Sequence, residues 1–185
     1  PTCRSRLNHP FGRFAFIGNS LPRRCGIATF TTDLQQALER SPPCERCGIV
    51  AMNDYGRTYD YPPTVRLQID DRKLEDYERA ADVLNRARCE VVSLQHEFGI
   101  FGGEAGGHIM ALVDRLAVPL VTTLHTVLSQ PTPAQRRVLG GIVDASSRVV
   151  VMAEKGRELL RTVYQVAAAK IAVIPHGTPD CADRK

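Results

Sequence analysis

The chain has 185 residues, of which 43% are hydrophobic and 24% are charged, and its formal net charge is +4. These values exclude a disordered chain, and no apolar run approaches the roughly 18 residues that a membrane-spanning helix needs. The basic residues are scattered among acidic ones without interleaved aromatic residues, which argues against a nucleic-acid-binding protein. The sequence therefore predicts a globular domain with a sizeable core, no transmembrane segment and no nucleic-acid partner.

Six cysteines lie at positions 3, 25, 44, 47, 89 and 181. Only Cys44 and Cys47 have the spacing of metal ligands, and no second pair completes a four-ligand zinc site. The first 13 residues are polar and basic and lack the apolar core of a secretory signal. We expect reduced thiols in a cytoplasmic protein that has no cofactor and no bound metal, with structural zinc as the alternative.

Apolar stretches alternate with amphipathic ones along the chain. The predicted strands are residues 13–18, 48–52, 64–69, 90–94, 119–124, 148–152 and 170–174. The predicted helices are residues 27–40, 70–87 with Asp70 as the N-cap, 104–116, 133–145 and 154–164. Strands without polar alternation, separated by helices, are typical of a parallel sheet that is covered on both faces. The pattern predicts an α/β fold with a doubly wound, mostly parallel sheet of six or seven strands.

Ligands of such sheets bind beyond the carboxyl ends of the strands, and the segment after the first strand has features of a phosphate site. It reads "GNSLPRRCGIATFTTDL", with Gly26 directly at the predicted start of a helix. Glycine lets a ligand approach the backbone, and the helix N-terminus offers free N–H groups and a positive dipole end. Arg23 and Arg24 add positive charge, so the segment would suit a diphosphate. A surface loop with a glycine at the helix entry explains the same residues equally well.

Two further polar clusters follow the fourth and fifth strands. Gln95, His96 and Glu97 precede a run of glycines, and Glu104 near the next predicted helix argues against a phosphate at that turn. A neutral ligand rich in hydroxyl groups fits these side chains better. His125 and Thr126 follow the fifth strand. For both histidines the alternative is a buried residue with a purely structural role.

Several catalytic motifs are absent from the sequence. No G-x-G-x-x-G follows the first strand, which argues against a dinucleotide site. Gly102 to Gly107 have P-loop spacing, but His108 stands where that loop needs a lysine. His96 and Glu97 are not followed by a second histidine at zinc-protease spacing, and no G-x-S-x-G marks a serine hydrolase.

Five segments together resemble the N-terminal domain of the GT-B glycosyltransferases of family 4, also called group 1. They are "LPRRCGIATFTTDL", "QHEFGIFGGEAGGHI", "VTTLHTVL", "VVVMAEKGRELL" and "KIAVIPHGTPD", in the order and spacing of that family. The resemblance implies a Rossmann-like N-terminal domain at about residues 13–178, on the acceptor side of a cleft between two domains. Residues 1–12 would then form a disordered or extended tail, and residues 179–185 a tail at the interdomain hinge.

The family's activity implies roles for individual residues. A retaining enzyme of this kind moves a sugar from a nucleotide-sugar donor to a hydroxyl group of a sugar or lipid-linked acceptor. The resemblance implies that Gly26 lies near the donor's diphosphate, that His125 contacts the transferred sugar, and that His96 and Glu97 form a turn on the acceptor side. Taken together with the polar clusters after the strands, this predicts catalytic roles for His125 and Glu97 and donor binding by Arg24, Gly26 and Thr126. The residues predicted to bind the acceptor are Gln95, His96, Gly102 and Gly103.

The family's second domain, which holds the nucleotide sugar with an Arg/Lys pair and an E-x7-E motif, would follow the "IPHG" stretch. The chain ends eight residues after Gly177, so we expect it to be incomplete for catalysis alone. The alternative from a different class is a non-catalytic α/β module that binds a glycan or a protein.

Overall fold

A computed structural model describes residues 11–41, 46–87 and 89–177. The predictions for most of the N-terminal tail, for the cysteines at 3, 44 and 181 and for the C-terminal tail lie outside these residues.

Within these residues, seven strands form one parallel sheet, as the alternation of apolar segments predicts. They are β1 (Phe14–Gly18), β2 (Cys47–Asn53), β3 (Val65–Asp70), β4 (Val91–His96), β5 (Leu120–Leu124), β6 (Arg148–Val151) and β7 (Ile171–Val173). The strand order is β3-β2-β1-β4-β5-β6-β7, and all neighbouring strands are parallel. The chain therefore leaves β1 and β4 in opposite directions, which makes the gap between them the topological switch point where ligands of such sheets bind.

In the described part of the chain, five α-helices cover the sheet. They are α1 (Gly26–Glu39), α2 (Leu74–Ala87), α3 (Met110–Val113), α4 (Pro133–Ala145) and α5 (Glu154–Thr162). The start of α4 shows how local sequence fixes a boundary: Thr132 and Gln135 form a reciprocal capping box, and proline occupies the first turn. Among the described residues, no helix has both the length and the apolar character needed to cross a membrane.

Alternating side chains of the central strands pack into separate hydrophobic cores on the two faces of the sheet. In β1, Ala15 and Ile17 pack with residues of α2, α3 and α4, whereas Phe16 packs on the other face with Leu34 and Leu38 of α1. The strand side chains at these positions are fully buried. This period of two along buried strands confirms the predicted doubly wound arrangement with helices on both faces.

Two predicted elements are wrong. The helix predicted at residues 104–116 is a kinked 3-10 segment, Glu104–Ile109, followed by the four-residue α3. Ala105 and Gly106 have φ values of 53° and 75°, in the left-handed region, where an α-helix cannot continue. Asp70 is the last residue of β3 and not an N-cap, since α2 begins only at Leu74. The other predicted strands and helices agree with the structure to within two residues at each end.

Candidate functional site

Three segments meet at the carboxyl edge of the sheet beside the switch point. They are the loop between β1 and α1, the end of β4 and the end of β5. His96 is paired with Leu124 in the sheet, and the backbone N–H of His125 donates to the carbonyl of His96 over 3.0 Å. From the other side, the Phe30 ring of α1 meets the His125 ring edge-on, with 4.9 Å between the centroids. The structure therefore brings the predicted phosphate segment and His125 to one place.

The start of α1 is open to a ligand. Cys25 is the N-cap, and its Sγ accepts a hydrogen bond from Ala28 N–H over 3.4 Å. The N–H groups of Gly26 and Ile27 have no acceptor among the described residues. Gly26 is exposed, and a Cβ added there would meet no atom within 4 Å. Packing does not require glycine at this position, which leaves room for a ligand at the backbone, and the part of Gly26 in donor binding stays a prediction.

The two neighbouring arginines have different surroundings. Arg23 donates to the side-chain oxygen of Asn19 over 3.1 Å and lies 3.6 Å from the carboxylate of Asp54. Arg24 is exposed and makes no ion pair among the described residues. Of the two, Arg24 is the arginine whose charge is available to an anion, and its contact with a donor stays a prediction.

His125 is held on three sides and is partly exposed on the fourth. Its Nε2 lies 3.2 Å from the side-chain oxygen of Gln95, in addition to the backbone bond to His96 and the ring contact with Phe30. Burial lowers the pKa of His125 below its usual 6.5, against the opposing charge of Glu97. The imidazole is therefore neutral at neutral pH and can either donate or accept a hydrogen bond.

Glu97 joins the ends of β4 and β5. One carboxylate oxygen accepts from its neighbour Phe98 N–H over 2.9 Å, and the other accepts from the hydroxyl of Thr126. The carboxylate is close enough to His125 to pull the pKa of that histidine upward. Glu97, Thr126 and His125 thus form one cluster, although they come from two strands.

His96 points away from this cluster. It is 0% exposed and packs among aromatic rings, with centroid distances of 4.9 Å to Phe98 and 5.9 Å to Phe101. Neither ring nitrogen has a hydrogen-bond partner among the described residues. Burial, with a smaller effect of His125, lowers the pKa of His96 to about 4, so the ring is neutral.

The glycines of the following turn have close neighbours inside the protein. A Cβ on Gly102 would lie 1.7 Å from the carbonyl oxygen of Asp71, and one on Gly103 would lie 2.5 Å from the His108 ring. Gly103 also has a φ of 80°, which favours glycine. The turn is tied to α2, because Gly102 N–H donates to the hydroxyl of the buried Tyr77 over 3.1 Å. Packing accounts for both glycines, and their predicted contact with an acceptor stays a prediction.

A comparison with protein families shows to which family the chain belongs. The sequence model of Glycosyltransferase Family 4 matches residues 24–180, most of the chain. The chain belongs to glycosyltransferase family 4. No curated protein matches it significantly.

Membership in glycosyltransferase family 4 supports a glycosyltransferase-like activity in general and the involvement of sugar donors and acceptors. All the site residues predicted from the sequence lie inside the matched range.

The sequence analysis did not single out Phe30 or Ser93. Phe30 contacts His125 directly, and Ser93 contacts Gln95, which in turn contacts His125. A detectable signal for Phe30 was its position one turn into the helix after Gly26. Ser93 lies two residues before Gln95 on a strand, and therefore on the same face.

Proposed function

We propose that this chain is the N-terminal, acceptor-side domain of a retaining glycosyltransferase. The enzyme moves a sugar from a nucleotide-sugar donor to a hydroxyl group of a sugar or lipid-linked acceptor. The observation that carries the proposal is the open start of α1, which packs through Phe30 against His125. The N–H groups of Gly26 and Ile27 at this start have no acceptor in the part of the chain that the structure describes. Retention of the anomeric configuration is inferred from the family resemblance.

The donor diphosphate would lie at the start of α1. Two N–H groups that have no acceptor among the described residues and the positive end of a 14-residue helix favour an anion there. The guanidinium of Arg24, which makes no ion pair with those residues, adds a full charge. Thr126, on the neighbouring loop, would lie beside the same ligand. Because Arg23 is already bound to Asn19 and Asp54, it would hold the loop in shape and not contact the phosphate.

The transferred sugar would meet His125 and Glu97. A neutral imidazole can form a hydrogen bond with a sugar hydroxyl group without attracting the diphosphate. Glu97 would fix the loop and set the electrostatic potential beside the reacting sugar. On the acceptor side we keep Gln95, His96, Gly102 and Gly103 as the residues that shape the site, with the buried ones acting from behind its surface.

A second domain would supply the other wall of the cleft and most of the charge that stabilises the leaving diphosphate. Ile174, directly after the edge strand β7, is 56% exposed and offers such a domain an apolar side chain to cover. Of the described cysteines, Cys25 and Cys89 are free thiols, which supports a cytoplasmic location.

The test is the substitution Gly26→Ala. An added methyl group meets nothing in the protein, and alanine is the better helix former, so the free energy of unfolding should stay equal or rise by up to about 1 kcal/mol. The same methyl group would push a diphosphate away from the backbone. We therefore expect the KM for the nucleotide sugar to rise about tenfold or more, as for the loss of roughly 1.4 kcal/mol of binding.

Gly140→Ala is the matched control. Gly140 also lies in a helix with no atom within 4 Å of the added Cβ, but it is in α4. Its substitution should stabilise the protein similarly and leave the KM unchanged. Turnover of UDP-, GDP- and ADP-sugars by the full-length protein, together with thermal unfolding of both variants, gives the two readouts. An unchanged KM for Gly26→Ala, with every active donor, would refute the diphosphate site.

A further inference from the structure

We propose that Gln95 is a positioning residue that holds the proton of His125 on Nε2, so that Nδ1 offers its lone pair to a hydroxyl group of the substrate. This inference rests on the proposed function of the same edge. It gives Gln95 a role through His125, since a side chain that is 0% exposed cannot itself contact an acceptor.

The side chain of Gln95 has one well-defined place. A Cβ on Gly18 of the neighbouring strand β1 would lie 3.0 Å from the Cβ of Gln95 and 3.4 Å from its Cγ. The stem of Gln95 thus occupies the space that the glycine leaves free, on the face that α1 covers. A buried stem packed this closely restricts the amide to a small range of positions.

The two ends of the Gln95 amide have different partners. Its nitrogen donates to the hydroxyl oxygen of Ser93 over 3.0 Å, and its oxygen lies 3.2 Å from Nε2 of His125. An amide oxygen accepts hydrogen bonds and cannot donate them. A hydrogen bond between these two atoms therefore requires a hydrogen on Nε2, and the neutral ring then has none on Nδ1.

The other ring nitrogen of His125 is available to a ligand. Nδ1 makes no hydrogen bond with the described residues, and it is not fully buried. An unprotonated Nδ1 accepts a hydrogen bond from a hydroxyl group and repels a phosphate oxygen. This edge of the sheet would therefore bind two different groups of the substrate: a hydroxyl group at His125 and an anion at the start of α1.

Nitrogen NMR of the 185-residue chain tests the tautomer without any activity assay. In a long-range proton–nitrogen correlation spectrum near neutral pH, Nε2 of His125 should resonate as a protonated nitrogen and Nδ1 as an unprotonated one. The reverse assignment would overturn the proposal, because the Gln95 amide would then present its nitrogen to the ring. Equal populations of the two tautomers would overturn it as well.

Three variants connect the tautomer to Gln95. Gln95→Met keeps the length of the side chain and removes the acceptor, so the His125 resonances should shift toward a mixture of tautomers. Ser93→Ala should act in the same direction by releasing the amide nitrogen. Gln35→Met is the control, because Gln35 is a buried glutamine of α1 whose amide nitrogen has no partner among the described residues. This substitution should leave the His125 spectrum unchanged.

A His125 spectrum that is the same in Gln95→Met as in the wild type would refute the positioning role. In the full-length protein, Gln95→Met should lower kcat about tenfold or more with little change in the KM for the donor, as expected for an interaction that matters in the transition state. If the tautomer is as inferred but no nucleotide sugar is turned over, the proposed function fails and the assignment of the proton stands.

Discussion

Replacing His125 with alanine distinguishes a catalytic role of this residue from a structural one. The expected losses in stability and in kcat can both be estimated from the structure. On the structural side, the substitution removes one edge-on aromatic contact with Phe30 and one hydrogen bond to Gln95. The ring contact is worth about 0.5–1.5 kcal/mol and the hydrogen bond about 1 kcal/mol. Because His125 is partly exposed, water can enter and satisfy the amide oxygen, so a loss of about 1–2.5 kcal/mol is expected.

That loss corresponds to a decrease in Tm of roughly 2–10 °C for a domain of this size. On the catalytic side, losing a positioned polar contact to the reacting sugar should lower kcat by about ten- to a thousandfold, or roughly 1.4–4 kcal/mol. The folded fraction at assay temperature would stay high, so instability cannot produce the fall in turnover.

Asn85→Ala is the matched control for stability. Asn85 makes two hydrogen bonds of 2.8 Å, to the carbonyl of Arg115 and from the N–H of Ala117, at the amino edge of the sheet. Its loss should lower Tm by a similar amount and leave kcat unchanged. The assay is sugar transfer by the full-length protein, normalised to folded protein, beside thermal unfolding of the 185-residue chain. A His125→Ala variant with a lowered Tm and normal turnover would show that His125 is a packing residue.

Two further predictions concern the other face of β4 and the turn after it. His96 has a pKa of about 4 in the folded state, against an ordinary value of 6.5. As the pH decreases through this interval, the unfolded chain binds the proton before the folded one does. The free energy of unfolding should therefore fall by up to about 3 kcal/mol over the interval. His96→Leu should remove this pH dependence and raise the free energy of unfolding at neutral pH by about 1–3 kcal/mol, because it removes two buried nitrogens that have no partner among the described residues. Urea unfolding at both ends of the pH interval checks this, and an equally steep pH dependence in the variant would contradict it. Gly102→Ala should destabilise the protein by more than about 3 kcal/mol or prevent folding, since its Cβ would overlap the carbonyl oxygen of Asp71. Urea unfolding measures this too, and a variant as stable as the wild type would contradict the packing explanation for that glycine.

The order of strands and helices along the chain could be read from the sequence because burial on both faces leaves a local signal. Buried parallel strands are continuous apolar runs, and the helices between them carry one apolar face, so both elements are visible within a short window. The same reasoning placed Gly26, His96 and His125 after strands, and carboxyl ends of parallel strands necessarily share one edge. The family resemblance came from the same segments, and the match over residues 24–180 confirms it.

The segment 104–116 shows where local sequence was insufficient. Its composition is compatible with a helix, and nothing within it shows that Gly106 must adopt a φ of 75°. That conformation is imposed by neighbours distant in sequence: a Cβ at Gly106 would lie 2.7 Å from the carbonyl oxygen of Phe98, and Gly102 is pressed against Asp71. Contacts of this kind exist only after the chain has folded.

The different surroundings of Gln95, His96 and His125 were also decided by tertiary structure alone. Alternation along a strand requires Gln95 and His96 to face opposite sides of the sheet, but it does not say which side carries α1. Packing places Gln95 in the space above Gly18, beside His125, and places His96 in the core among Phe98 and Phe101. The sequence by itself determined which polar residues reach the edge of the sheet, because position after a strand is a local property. Only the folded chain determined that His125 is partly exposed while Gln95 and His96 are buried, because exposure depends on the helices that cover each face.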